Sequence, residues 1–353
     1  MTENKKRKKH TWKIIGFIAL VLMIVSGVAG HRFYEQIYGV NLSVAPEESV
    51  FLHIPTNSAF DDVCALLEEA GLLDAKSFQW VAKRMNYPSR VRAGRYLLTD
   101  GMSNIELVRM LRSGRQVPVR VTFNNIRLNT HLAGAVSRTI EADSASIMAV
   151  LTDSDYLAER FNLCPQTILS LCIPNTYEFF WNTSAKGFLD RMEIEYERFW
   201  NENRREKARE ANLTPLEVII LASIIEEETQ RDGEKPTMAG VFINRLRRGM
   251  PLQADPTLKF ALGDFTIRRV LNVHRTVVSP FNTYLNTGLP PGPICIPSIA
   301  SIDAVLNFVR HDYLFFCARD DFSGYHAFAR TLQEHNRNAQ AYHRALNNLR
   351  IFR

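Results

Sequence analysis

An α+β fold is predicted for this chain of 353 residues: one membrane-spanning N-terminal helix, a small α+β module, and a larger mixed α/β domain at the C-terminal end. Three observations predict it. An apolar run from Ile14 to Val25 follows a cluster of basic residues; strand-like alternation and helical periodicity succeed one another between Ser49 and Phe123; and a capped apolar helix beginning at Thr214 ends in three glutamates. A composition of 46% hydrophobic and 23% charged residues belongs to a folded chain rather than a disordered one.

The formal net charge of +6 is concentrated at one end, because Lys5, Lys6, Arg7, Lys8, Lys9 and Lys13 against Glu3 supply +5 of it. The nearly neutral remainder argues against nucleic acid as a partner. Residues 1–11 form the basic tail, and residues 12–31 read as a transmembrane anchor long enough to cross about 30 Å of hydrocarbon. A cleaved signal peptide is the alternative. The apolar run is long for a signal sequence and has no small-x-small exit before His31, Arg32 and Phe33, which favours retention. The positive-inside rule keeps the tail in the cytoplasm and the rest of the chain outside the membrane.

Residues 32–48 read as a polar connector. Ser49 to Ile54 then alternates as a strand, and Ser58 to Ala70 is helical, closed by Gly71 at the C′ position. A second helix covers Ala75 to Met85, and Pro88 ends it. Arg95 to Leu98 reads as a strand, and Ser103-Asn104-Ile105-Glu106 is a capping box opening a helix that stops at Gly114. Val117 to Phe123 alternates again. Residues 49–123 are therefore expected as one α+β module.

Residues 124–207 form an intermediate region, with a turn at Pro174 to Phe179 and a charged helix from Ser184 whose Glu and Arg residues form a solvated face. The five cysteines, Cys64, Cys164, Cys172, Cys295 and Cys317, include no Cys-x-x-Cys pair and suggest neither a disulfide framework nor a metal site. They read as small apolar residues. No cofactor is expected.

Residues 208–353 carry the candidate chemistry. Thr214-Pro215-Leu216-Glu217 is a helix start, with Thr as N-cap, Pro at the first helical position and Glu able to reach back to the cap amide. At about 100° of rotation per residue, Val218, Ile220, Leu221, Ile224 and Ile225 share one apolar face, with Glu228 near its middle and Glu226 and Glu227 to either side. A carboxyl on that face is disfavoured as an anion, so its pKa should rise. An acid still protonated near neutral pH can protonate the leaving oxygen of a glycosidic bond. Three successive glutamates also fit a plain exposed helix end.

The surrounding residues bear on that choice. Ala222-Ser223-Ile224-Ile225-Glu226-Glu227-Glu228-Thr229, Val241-Phe242-Ile243-Asn244-Arg245-Leu246 and Gly249-Met250-Pro251-Leu252-Gln253-Ala254-Asp255-Pro256-Thr257 resemble the endolytic murein transglycosylases, the MltG or YceG-like family. Phe281-Asn282-Thr283-Tyr284, Gly288-Leu289-Pro290-Pro291-Gly292-Pro293-Ile294, Tyr325-His326-Ala327-Phe328 and His335-Asn336 extend the resemblance in order and spacing. Ala93-Gly94-Arg95-Tyr96, in its strand-helix-helix-strand setting, looks like the LysM-like subdomain of that family. Departures are Ala254 where threonine is frequent, Phe281 where tyrosine is common and Tyr325 where glycine is usual; they bear on subsite detail.

The resemblance places the catalytic role on Glu228 and leaves Glu226 as the motif's other acidic position. It implies an endolytic lytic transglycosylase that cuts the MurNAc-GlcNAc bond in nascent glycan strands and leaves 1,6-anhydro-MurNAc ends, with Glu228 as acid and then base. Asp255 is a structural or catalytic carboxylate; its structural role would be to accept backbone N–H groups in the turn before Pro256. The Gly288 to Pro293 loop, including Pro291, is implied as a wall of the glycan groove. Gln253, Asn282 and Tyr284 are hydrogen-bonding candidates, Phe328 an apolar platform, and His326 either a structural histidine or a sugar contact.

The implied partners are peptidoglycan glycan strands, the cytoplasmic membrane and peptidoglycan synthases of the penicillin-binding class. The implied location is the cytoplasmic membrane, single-pass, with the catalytic domain on the extracytoplasmic side. The alternatives are a noncatalytic peptidoglycan-binding scaffold and a two-carboxylate glycan hydrolase. A pyridoxal-phosphate lyase fits poorly with the anchor. A penicillin-binding transpeptidase would need Ser-x-x-Lys, which no serine here satisfies.

Overall fold

The computed structural model describes residues 3–45, 49–267 and 269–348, with side chains from residue 12 onward. The side chains of the basic tail and residues 46–48 of the expected connector therefore lie outside the described residues. The chain forms two compact units, residues 1–119 with 179–182, and residues 120–178 with 183–353.

The first unit opens with α1 (Glu3–Tyr38), whose segment Trp12–Tyr38 is long and apolar enough to cross a membrane. The helix does not end at residue 31 as expected. Residues 32–38 continue it, and the stretch beyond is part of the unit's core: Leu42 and Val44 are buried and Ile37 packs against them. The reason is a polar clasp. Asn41 donates to Asp74 O at 2.9 Å and Asn104 Oδ1 at 2.6 Å, while its own Oδ1 accepts from Asp74 N at 2.7 Å.

The unit continues through β1 (Val50–Ile54), α2 (Phe60–Glu69), α3 (Ala75–Arg84), β2 (Gly94–Leu98) and α4 (Asn104–Ser113). Strands β1 and β2 pair antiparallel, with Leu52 opposite Tyr96. Period-two alternation sends Leu52, Ile54, Tyr96 and Leu98 inward, onto Phe78, Leu107 and Leu111. Gly71 takes a positive φ of 109° just past α2, where a side chain would meet Ser43 O. Ser103 N donates to Glu106 Oε2 at 2.9 Å, and Gly114, at φ 71°, ends α4.

The strand expected last in the module, β3 (Val119–Phe123), pairs with β4 (Asn175–Phe179) instead of β1 or β2. Residues 174–179 were expected as a turn, and this pairing is why most of them form a strand: the partner lies more than fifty residues earlier, out of reach of any local pattern.

In the second unit, α5 (Asn129–Ser137), α6 (Ser144–Thr152) and α7 (Ser154–Phe161) precede β4. After residue 182 come α8 (Ala185–Phe199), α9 (Glu202–Ala211), α10 (Pro215–Glu228), α11 (Lys235–Arg247), α12 (Asp255–Leu262), α13 (Ile299–Leu306), the hairpin β5 (Phe315–Ala318) and β6 (His326–Ala329), and α14 (Leu332–Asn348). Helices α8 and α9 carry the expected charged face, with Arg191 on Glu195 at 2.8 Å and Arg205 on Glu197 at 2.6 Å. All five cysteines are free; Cys64, Cys172 and Cys295 are buried.

Helix α10 is the axis of this unit's core. Its start is as expected: Glu217 Oε2 accepts from Thr214 N at 2.7 Å, and Thr214 Oγ1 accepts from Glu217 N at 3.2 Å. The single apolar face is a correction. Every residue from Val218 to Ile225 is buried, Ile219, Ala222 and Ser223 included, because Trp200, Met238, Phe242, Ile294, Ile302 and Val305 surround the helix. The three glutamates mark where it leaves the core.

Candidate active site

Glu226, Glu227 and Glu228 leave α10 in three directions, and each meets a different environment. Glu226 Oε2 accepts from Ser298 Oγ at 2.6 Å, Ser301 Oγ at 2.5 Å and Lys235 Nζ at 3.3 Å. Burial pushes its pKa up, but the two hydroxyls and the ammonium outweigh it and hold the carboxyl below its ordinary value. Glu227 forms an ion pair with Arg127, whose Nη2 lies 2.9 and 2.7 Å from the two carboxylate oxygens.

Glu228 has no such partners. The residue keeps some exposure at its edge, yet Oε2 is closed off from solvent and makes no hydrogen bond. Burial first, and then the negative charge of Asp255, push its pKa up to about 8 against the smaller opposing pull of Lys259 and Arg245. Its place at the C-terminal end of α10 works in the same direction, since unsatisfied carbonyls concentrate negative potential there. A buried polar atom left unpaired in a folded protein calls for an explanation, and a carboxylic acid awaiting a ligand oxygen is one.

Asp255 opens α12 and accepts the Tyr284 hydroxyl on Oδ1 at 2.5 Å. A phenol, rather than the backbone N–H groups expected before Pro256, is therefore its partner. Arg275 stands over the Tyr284 ring at 4.9 Å. Arg245, to which no role was given from the sequence, is buried and bridges three segments: Nε donates to Leu314 O at 2.6 Å, and Nη1 to Leu252 O at 2.8 Å and Gln253 Oε1 at 3.4 Å. Gln253 is exposed in a left-handed backbone with φ 52°. That conformation is uncommon for a residue with a Cβ and is held by its N–H bond to Thr283 O at 3.0 Å.

The other expected contacts separate into two groups. Asn282 is fully buried, and its amide is spent on the backbone of Arg275, Val277 and Tyr284. It braces the turn that presents Tyr284 and has no hydrogen-bonding group left for a ligand. Phe328, on β6, is half-buried against Phe316 and Tyr313.

The loop from Gly288 to Pro293 runs along α10. Gly288, Leu289 and Pro290 line a hollow with Leu213, Glu217 and Ile220, at the opposite end of the helix from Glu228. Glu228 is eleven residue steps beyond Glu217, so that end lies roughly 16 Å away along the axis. Pro291 is exposed. Gly292 does permit a close approach, but to the protein itself, since a Cβ there would sit 2.1 Å from Gln166 O. Further on, Ile294 N donates to Ser223 Oγ at 3.0 Å, which fixes the loop against the helix and leads Ser298 to Glu226.

His326 Nδ1 lies 2.7 Å from Glu234 Oε1, and the same oxygen accepts Thr229 Oγ1 at 2.5 Å. Sequence reasoning passed over Glu234 and Lys235. No local signal marked them, because the residues before them are exposed and those just after only half-buried. Among the described residues, no group of three or more His, Cys, Asp or Glu side chains is arranged to hold a metal ion.

The profile of the YceG-like family matches residues 52–341. An endolytic murein transglycosylase of Bacillus subtilis is 29% identical over 326 residues, covering 87% of this chain and 89% of that protein. One from Streptococcus pneumoniae is 26% identical over 359 residues, covering 92% of this chain; the chain spans 64% of that relative's length. The crystal structure of a YceG-like protein from Listeria monocytogenes superposes with a TM-score of 0.54 at 27% identity, covering 82% of this chain and 99% of that one.

Proposed function

The chain belongs to the YceG-like family, and from that membership and the geometry around Glu228 we propose that it is an endolytic lytic transglycosylase of peptidoglycan. The carrying observation is the enclosed, unpaired Glu228 carboxyl, with its pKa pushed up to about 8. Such a group holds its proton at neutral pH and can hand it to the oxygen between MurNAc and GlcNAc as that bond breaks. The muramic acid C6 hydroxyl then closes on its own C1 and returns its proton to the Glu228 carboxylate, leaving a 1,6-anhydro end and consuming no water. One carboxyl suffices for both transfers.

Asp255 has a supporting role in this reading. Held by Tyr284, it keeps a negative charge near Glu228 and so keeps Glu228 protonated. The same carboxylate is the observation that favours a second reading, a hydrolase in which Asp255 activates water. Residues 49–119, without the rest of β3, would serve as a LysM-like, glycan-holding module, supported by the strand-helix-helix-strand order of β1, α2, α3 and β2 and by Arg95 in β2. The apolar helix fits a single-pass membrane anchor, and this reading places the catalytic unit on the extracytoplasmic side.

Mass spectrometry of sacculi digested with the portion of the protein beyond the helix tests it. Ends carrying 1,6-anhydro-MurNAc are expected. Reducing ends would identify the hydrolase, and no new ends would identify a binder.

A further inference from the structure

We propose that His326 is a substrate-contacting residue of the same site, its Nε2 held by the Nδ1–Glu234 bond in position to hydrogen-bond a glycan hydroxyl. The proposal rests on the glycan-cleaving reading above. Glu234 is 5% exposed and accepts three hydrogen bonds: Thr229 Oγ1 at 2.5 Å, His326 Nδ1 at 2.7 Å and the His326 backbone N–H at 2.9 Å. With three donors converging on it, Glu234 acts as an acceptor-only carboxylate. The proton on the facing ring nitrogen therefore belongs to Nδ1, which leaves Nε2 as the ring's outward hydrogen-bonding atom.

Nothing among the described residues uses that atom. Nε2 has no hydrogen-bond partner among the described residues, although the side chain is only 15% exposed and its ring packs edge-on to Phe316 with centroids 5.4 Å apart. A histidine kept only for packing has no need to be held at both its backbone and its ring by one buried carboxylate.

The position of the ring is equally constrained. Thr229 directly follows Glu228, so the chain of hydrogen bonds from Thr229 through Glu234 to His326 ties the β5–β6 hairpin to the end of α10. Arg231 adds two further ties: Nη2 donates to Ser323 O at 2.6 Å, and its guanidinium lies over the Tyr325 ring at 5.2 Å. The acid and the imidazole are thus set in a fixed relation before any ligand arrives, which is what a site for a polyhydroxylated ligand requires. A sugar hydroxyl is the complementary chemistry, being both a donor and an acceptor that one imidazole nitrogen can orient.

The test separates the two ring nitrogens in the full-length protein. His326→Asn keeps an amide donor near the Nδ1 position, and so the bond to Glu234, but removes Nε2. His326→Gln places its amide near Nε2 and gives up the bond to Glu234. Each is made in a Glu228→Gln background, so that binding of soluble uncrosslinked glycan strands is measured without turnover. Glu228→Gln/His326→Asn should bind roughly tenfold more weakly than Glu228→Gln, the size of one lost hydrogen bond, with an unchanged melting temperature. Unchanged affinity would overturn the proposal. So would a loss of affinity matched by a fall in melting temperature, which would make the histidine a packing residue. Activity retained by Glu228→Gln alone would instead refute the assignment of the acid, a separate failure.

Discussion

Glu226 and Glu228 stand two residues apart on α10 and titrate in opposite directions: Glu226 is held below its ordinary value, and Glu228 is pushed up to about 8. Both are taken from water. The difference is that Glu226 receives Ser298, Ser301 and Lys235, while Glu228 receives no hydrogen bond on Oε2 and has the charge of Asp255 nearby. One carboxyl is thereby fixed as an anion and the other kept as an acid, a separation of protonation states that proton-transfer sites require.

Glu228→Gln is expected to lower the release of 1,6-anhydro products by about 10² to 10⁴-fold, because the amide keeps the size of the side chain but has no proton to deliver. The melting temperature at neutral pH should hold or rise, since an enclosed carboxyl without a partner is a local cost. Product assays on sacculi, paired with thermal denaturation, check both; a folded variant near wild-type activity would take the acid role from Glu228.

The raised pKa also sets a pH window with a definite sign. An acid whose folded value is about 8 against 4.5 when free binds more protons in the folded state between those limits, so wild-type stability should fall by about 1.4 kcal/mol per pH unit across that range relative to Glu228→Gln. Activity should fall as pH rises through about 8. Asp255→Asn removes one of the charges keeping Glu228 protonated, and should move that fall to lower pH. Denaturation midpoints and initial rates from pH 5 to pH 9 measure both, and a pH profile unchanged by Asp255→Asn would remove Asp255 from this role.

Glu226→Gln and Glu227→Gln should differ in kind. Glu226 neutralises Lys235, whose side chain is 5% exposed; its loss leaves that ammonium with Asp232 alone, at 2.7 Å, and leaves Ser298 and Ser301 without their acceptor, and should cost about 1–3 kcal/mol. Glu227 and Arg127 are more open, at 19% and 32%, and their pair should be worth about 1 kcal/mol or less. Urea denaturation of the two variants ranks them, and equal losses would contradict the ordering.

The anchor is tested by fractionation and N-terminal sequencing. The protein should remain with membranes through a high-salt wash, leave them only with detergent, and begin upstream of Trp12. A mature N-terminus near His31 would show a cleaved signal sequence instead.

Several elements were legible in the amino-acid order because their causes are local. Thr214, Pro215 and Glu217 are three neighbours that together start α10, and Gly114 stops α4 by taking a backbone conformation costly for other residues. The same holds for the apolar stretch from Ile14 to Val25 and for β1, where buried Leu52 and Ile54 flank exposed His53. Glu228 could be picked out as a carboxyl in a poor place for an anion, because eight apolar or small residues, Val218 to Ile225, precede the three glutamates and the helical period returns Glu228 to the side of Ile224 and Ile225.

What only the tertiary structure decided are the partners that arrive from far along the chain. Residues 175–179 form a strand because Val119–Phe123 is there to pair with them, and residues 37–44 join a core because Asn41 finds Asp74 and Asn104. Gly288 and its neighbours lie beside Glu217 rather than Glu228, a placement that no spacing encodes. The partners of the three glutamates were beyond reach for the same reason. Ser298, Ser301, Arg127, Asp255 and Tyr284 lie between about 27 and 100 residues from the side chains they govern. A pKa depends on which groups stand within a few ångströms, and sequence separation does not determine that distance.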